Sequence, residues 1–172
     1  MFSGLCRAWP AASAAALACL VLLASPAGAA EGFRQLMPLL VDLPGWQAER
    51  ADGSSMEISG QTMTTAQRDY EQGDKGVHAQ IMTGAPAEAQ IAASSGLNTM
   101  KFETTEERIT TEEMDGFPVT HSYTFADKAG TVLVMLGKGS LFAFTFENLP
   151  EEEAMALARK FDWKAMKAAT VK

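Results

Sequence analysis

Four strand-forming runs in the second half of the chain are joined by turns too short for anything but antiparallel pairing. The runs are Phe102–Thr111, Phe117–Phe125, Thr131–Leu136 and Leu141–Phe146. Between them stand Met114-Asp115-Gly116, Asp127-Lys128-Ala129-Gly130 and Gly137-Lys138-Gly139-Ser140. Gly and Asp accept the backbone angles that tight hairpins need. A parallel neighbour would require a crossover of about a dozen residues or more. This half of the chain is therefore committed to an antiparallel sheet. Phe142, Phe144 and Phe146 alternate along one run, so all three should face the same layer.

The first half adds strands of the same kind. In Lys75–Met82, Val77, Ala79 and Ile81 alternate with His78, Gln80 and Met82, the period of a half-buried strand. The tetrad Glu71-Gln72-Gly73-Asp74 turns into it from a strand over Thr62–Tyr70. Trp46–Ile58 reads as one further strand, broken at Asp52-Gly53.

Helices are fewer. Phe33, Leu36, Met37 and Leu40 form one stripe within Glu31–Leu43, but Pro38 keeps that helix short or kinked, and Pro44-Gly45 stops it. Pro86–Asn98 reads as a second helix, with Ile91 and Leu97 inward and small alanines suited to lying close on a sheet. Asn148-Leu149-Pro150 opens a C-terminal helix. Its first turn carries Glu151, Glu152 and Glu153, and Arg159, Lys160, Lys164 and Lys167 gather toward its end, the polarity that the helix dipole favours. Ala154, Leu157, Ala158 and Phe161 make its inward stripe. The expected architecture is α+β: an antiparallel sheet of about five to seven strands with helices packed on it, including a C-terminal helix.

Residues 1–30 have a different character. Arg7 is the sole charge, Ala11–Ser25 is uncharged and apolar, and Pro26 is followed by Ala27-Gly28-Ala29-Ala30. That order is the pattern of a secretory signal peptide cleaved after Ala29 or Ala30. The apolar run is shorter and richer in alanine than a membrane span of about twenty residues requires. The expected organisation is thus a signal peptide over 1–30 and a single α+β domain over 31–172. Both cysteines, Cys6 and Cys19, fall inside the leader, and Cys19 sits in mid-core rather than at the end where a lipid-attachment cysteine belongs. The mature chain then holds no thiol and no disulfide.

Charge narrows the function classes. The chain carries 14 Lys and Arg against 21 Asp and Glu, a net charge of −7, which becomes −8 once Arg7 is lost. Acidic chains without a basic cluster are poor partners for nucleic acid or anionic lipid. The expected partners are an envelope protein or a small ligand, with no nucleic acid and no membrane insertion of the mature chain.

Catalytic and metal signatures are not found in the sequence. His121 shares a strand face with Val119, Tyr123 and Phe125 and reads as a hydrogen-bonded core residue, since a catalytic base also needs an oriented partner. His78 faces the other way, toward solvent or a covering helix. There is no HExxH and no histidine pair at metal-ligand spacing. Asp69–Asp74 only loosely approaches a calcium loop. Met82 and His78 share a strand face, as copper ligands could, yet the methionines are scattered from Met37 to Met166 and read as packing residues. Glu106, Glu107, Glu112, Glu113 and Asp115 read as a solvated surface. No cofactor is expected. Trp46, directly after Pro44-Gly45, is the candidate binding residue: a lid over the end of the sheet, or an exposed anchor for a partner.

The stretch Leu39-Leu40-Val41-Asp42-Leu43-Pro44-Gly45-Trp46 resembles the LLP-x-x-PGW start of small exported proteins of unknown function from Gram-negative bacteria, with one proline of that pattern absent. Tyr70 closing an early strand, the Val77–Ile81 alternation, Gly116-Phe117-Pro118-Val119 and the final Leu-Pro/acidic helix are similar to theirs in the same order. The order of elements also looks like the PsbP-type α+β fold. The resemblance implies a periplasmic domain without an assigned activity and brings no functional residues with it. The reading is a non-catalytic periplasmic protein that binds a partner protein or small ligand. A carrier of an apolar ligand such as a lipid is the alternative, and an enzyme the least favoured.

Mass spectrometry of a periplasmic fraction should find the chain beginning at Ala30 or Glu31. An intact Met1, or recovery only with membranes, would overturn the export reading.

Overall fold

The computed structural model describes residues 32–94 and 99–170. The export segment with Cys6 and Cys19, and the end of the second helix at Leu97 and Asn98, lie outside the described residues. Among the described residues the strands are β1 (Gln47–Ala48), β2 (Asp52–Ile58), β3 (Gln61–Gln72), β4 (Lys75–Thr83), β5 (Lys101–Glu103), β6 (Glu107–Met114), β7 (Phe117–Thr124), β8 (Ala129–Gly137) and β9 (Ser140–Glu147). The helices are α1 (Gly32–Leu36), α2 (Ala85–Ser94), α3 (Glu151–Ala158) and α4 (Trp163–Thr170), with a 3-10 turn over Met37–Leu39.

All strands join one antiparallel sheet in the order β1-β3-β4-β9-β8-β7-β6-β5. β1 and β2 share one edge of β3, β1 at Tyr70–Glu71 and β2 from Gln61 to Gln67. The last strand is not at an edge. β9 lies between β4 and β8, so it joins the first meander to the second.

The alternation along β9 decides where the core sits. Phe142, Phe144 and Phe146 are buried on one face, opposite Ile81, Ala79 and Val77 on β4. α1, α3 and α4 cover that face, and Phe161 drops from the α3–α4 corner to within 5.1 Å of the Phe142 ring and 6.0 Å of the Phe144 ring. Tyr123 and Phe146 stack across Gly130 with ring centroids 6.1 Å apart, and a Cβ at Gly130 would collide with the Ser122 carbonyl and the Phe146 ring. The opposite face is thinner. There α2 rests Ala87 and Ile91 on Leu141, Ala143, Met82 and Leu133.

The strand count exceeds the expected five to seven because two runs that read as single strands each divide. Trp46–Ile58 breaks at Glu49–Ala51 rather than at Asp52-Gly53, which lies inside β2. The break is held from outside: the Glu49 N–H donates to the Asp69 carbonyl, and Arg68 Nε donates to the Glu49 carbonyl at 2.7 Å. Phe102–Thr111 folds at Thr104–Glu106, where Thr104 Oγ1 accepts from the Glu106 and Glu107 N–H groups. Threonine is a strand former whose hydroxyl also closes turns, so composition alone does not show that fold.

The C-terminal helix likewise divides at Arg159–Asp162. Asp162 Oδ1 accepts the Ala165 N–H at the start of α4, and Trp163 buries its indole and donates to the Ala158 carbonyl at 3.1 Å. The first helix is short, as Pro38 demands, and gives way to the 3-10 turn.

Arg68 fixes the segment that follows. Its guanidinium donates to the Leu40 carbonyl and to Asp42, and it lies over the Tyr70 ring. Tyr70 in turn donates to the Val41 carbonyl at 2.9 Å. Burial, opposed by Arg68, pushes the Tyr70 phenol up to about 12.

Phe144→Ala should lower the unfolding free energy by about 3–5 kcal/mol in a urea titration, the usual cost of emptying a buried Phe site. A loss below about 1 kcal/mol would place β9 outside the core.

Candidate functional site

The helices do not reach across the whole face. α3 and α4 pack on β8 and β9, and the same face of β5, β6 and part of β7 stays open along the flank of α3. The result is a cleft of about 660 Å³. Strand periodicity supplies one wall: Arg108, Thr110, Glu112 and Met114 alternate toward it along β6. Thr110 is paired across the ladder with His121 on β7. Helical spacing supplies the other wall, with Glu151, Glu152, Met155, Ala156 and Arg159 of α3 and its C-terminal end.

His121 lies between two carboxylates. Its Nδ1 is 2.9 Å from Glu151 Oε1. Its Nε2 is 3.5 Å from Glu112 Oε1, too far for a hydrogen bond, and has no partner although it is buried. The side chain keeps 10% of its surface exposed. An ionised carboxylate only accepts, so Nδ1 carries the proton and donates it to Glu151. In the neutral ring Nε2 is then a bare acceptor.

The second oxygen of Glu151 accepts from Arg108 Nη1 at 2.8 Å, and Arg108 Nε donates to Glu103 at 3.0 Å. Hydrogen bonding to Glu103, followed by the charge of Glu151, raises the Arg108 pKa. Hydrogen bonding from Arg108, then its charge, lowers that of Glu103. The guanidinium also lies 5.5 Å over the Phe125 ring.

The histidine reading holds in part. His121 is buried on the expected face and is hydrogen-bonded, but it stands at the polar margin of the core with one nitrogen turned to the cleft residues. Glu151 does occupy the first turn of its helix, yet both its oxygens serve the sheet. Glu112 keeps 42% of its side chain exposed, as a surface acid does, and also stands 3.5 Å from His121 Nε2. The available signal was the alternation of Arg108, Thr110 and Glu112 opposite His121, which only the β6–β7 register brings together.

His78 faces the other side of the sheet, as expected, with Nδ1 2.6 Å from Asp69 Oδ1. Met82 shares that face but packs against the Ala87 cluster. Among the described residues no group of three or more His, Cys, Asp or Glu is arranged to hold a metal ion. Trp46 is half-buried against the core beside β1, at the end of the sheet opposite the cleft, and its backbone N–H donates to the Leu43 carbonyl. Trp46 and the cleft are therefore separate features.

Glu151→Ala should cost about 2–3 kcal/mol in chemical denaturation, because it leaves both nitrogens of a buried imidazole unpaired. Glu152→Ala, exposed in the same turn, should stay within about 0.5 kcal/mol of the parent. Equal effects would mean that the His121–Glu151 contact does not hold α3 to the sheet.

No family model matches the chain, and no curated protein does. Among solved structures, an uncharacterized protein from Mycobacterium smegmatis is similar at 12% sequence identity and a TM-score of 0.41, over 83% of this chain and 98% of that one. A likeness at that level transfers neither residues nor a function.

Proposed function

We propose that the protein is a non-catalytic binding protein of the bacterial envelope, exported to the periplasm, and that the cleft between β5–β7 and α3 receives a small ligand. The observation that carries this reading is the partnerless Nε2 of His121, buried among cleft residues. Buried polar atoms are normally bonded, and one left unpaired beside a concave site is a place prepared for a donor. A volume of about 660 Å³ suits a small organic molecule.

The alternatives are less well supported. Activation of a protein nucleophile by His121 needs a hydroxyl or thiol bonded to it, and among the described residues none is. A lipid carrier needs an apolar cavity between sheet and helices, where Phe142, Phe144, Phe146 and Phe161 instead fill the space. The cleft itself is lined by charged groups, which an acyl chain would desolvate. Export rests on the leader pattern and the resemblance to small exported proteins. No helix among the described residues is long and apolar enough to cross a membrane.

Native mass spectrometry of protein isolated from its own periplasm tests the reading. The parent should carry a small-molecule adduct that Ala156→Trp, an exposed position on the cleft wall, abolishes. A partner protein retained equally by both forms, with no adduct on either, would place the function elsewhere on the surface.

A further inference from the structure

We propose that the ligand is an organic cation, a protonated amine on an apolar body, with its ammonium group seated between His121 Nε2 and Glu112 Oε1. This rests on the cleft being the ligand site and adds the chemistry of what enters it. With the imidazole neutral and its Nδ1 proton donated to Glu151, His121 Nε2 and Glu112 Oε1 are two acceptors 3.5 Å apart. One is fixed, because Glu151 holds the imidazole by its other nitrogen. The other is less confined, because the Glu112 side chain is 42% exposed. An ammonium group has three donors and one positive charge, so it satisfies both acceptors and offsets the Glu112 carboxylate.

Other ligand classes fit less well. Beside His121 Nε2 an anion would meet the Glu112 and Glu151 carboxylates, and Arg108, which bonds Glu151, is already engaged by it and by Glu103. A neutral hydroxyl has one donor for two acceptors. A metal ion would find only His121 and Glu112, since no third His, Cys, Asp or Glu is placed to join them among the described residues. Among the charged groups the walls leave room for a short apolar body: Met114 and Met155 line the cleft, and Phe102 is 45% exposed at its edge. Thioether side chains adapt to varied shapes. The net charge of −7 favours the approach of cations.

Two sources share this chemistry, a simple alkylamine and the amino group of an amino acid or peptide. Lys101 and Arg159, which line the cleft and make no ion pair among the described residues, would meet the carboxylate of the second kind.

The test is titration of the ¹⁵N-labelled protein with n-hexylamine, leucine, leucinamide, n-hexanol, hexanoate and Zn²⁺, read at His121 Nε2 and at the cleft amides. Hexylamine or leucinamide should shift His121 Nε2 saturably, and Glu112→Gln should weaken that binding at least tenfold while leaving the fold intact. Tighter binding of leucine than of leucinamide assigns the amino-acid source, and the reverse assigns the simple amine. If hexanol or hexanoate perturbs the cleft and no amine does, the cleft stands as a ligand site and the cation assignment falls. Saturation by Zn²⁺ with no response to amines overturns it in favour of a metal. Amine binding that Glu112→Gln and Ala156→Trp both leave unchanged lies elsewhere and overturns it too. If none of the six probes perturbs the cleft, the cleft reading fails together with the amine.

Discussion

The pairing of β4 with β9 is the constraint on which the rest of the molecule depends. It runs from Gly76 opposite Glu147 to Thr83 opposite Ser140 and is the seam between two meanders that are each local in sequence. Without it, Phe142, Phe144 and Phe146 would have neighbours on one side only. The helices would then have half a surface to cover. The N-terminal segment depends on the same seam at one remove, because Arg68 and Tyr70 hold Leu40–Glu49 from β3, and β3 is attached through β4. Contacts between distant parts of the chain are slow to form, so this seam should close late in folding.

The acids of α3 are the second organising device. Glu153 receives Lys75 of β4 at 2.8 Å, while Glu151 receives Arg108 of β6 and His121 of β7. Asn148, just ahead of the helix, donates to the Asp74 carbonyl in the β3–β4 turn. One helical turn thus spans the sheet from β4 to β6. Partly exposed ion pairs contribute little stability individually. Their larger effect is positional: they set how far α3 stands from β6, and hence how wide the cleft is.

The parts of this arrangement legible in sequence are those with a local cause. Turn residues located the hairpins, alternation assigned Val77–Ile81 and Phe142–Phe146 to a buried face, and Pro38 limited the first helix. The parts that were not legible have causes elsewhere in the chain. The break at Glu49–Ala51 is made by Arg68, and the corner at Arg159–Asp162 by the sites that accept Phe161 and Trp163. The fold at Thr104 is local but is made by a residue equally at home in a strand. The cleft belongs to the non-local class as well. Glu151 looked like a helix-start acid and is one; nothing within α3 reveals that its oxygens belong to a histidine and an arginine on two separate strands.

Under the proposed function, the unsatisfied nitrogen of His121 also links occupancy of the cleft to the folding equilibrium. A buried acceptor without a donor leaves the empty protein less stable than its contacts would allow. Any donor that reaches Nε2 only in the folded chain returns that free energy to the whole molecule. At a hundred times its dissociation constant, such a ligand adds about 2.7 kcal/mol to the stability. The stability of this chain would then report on the concentration of a small molecule, through mass action alone and with no change of shape.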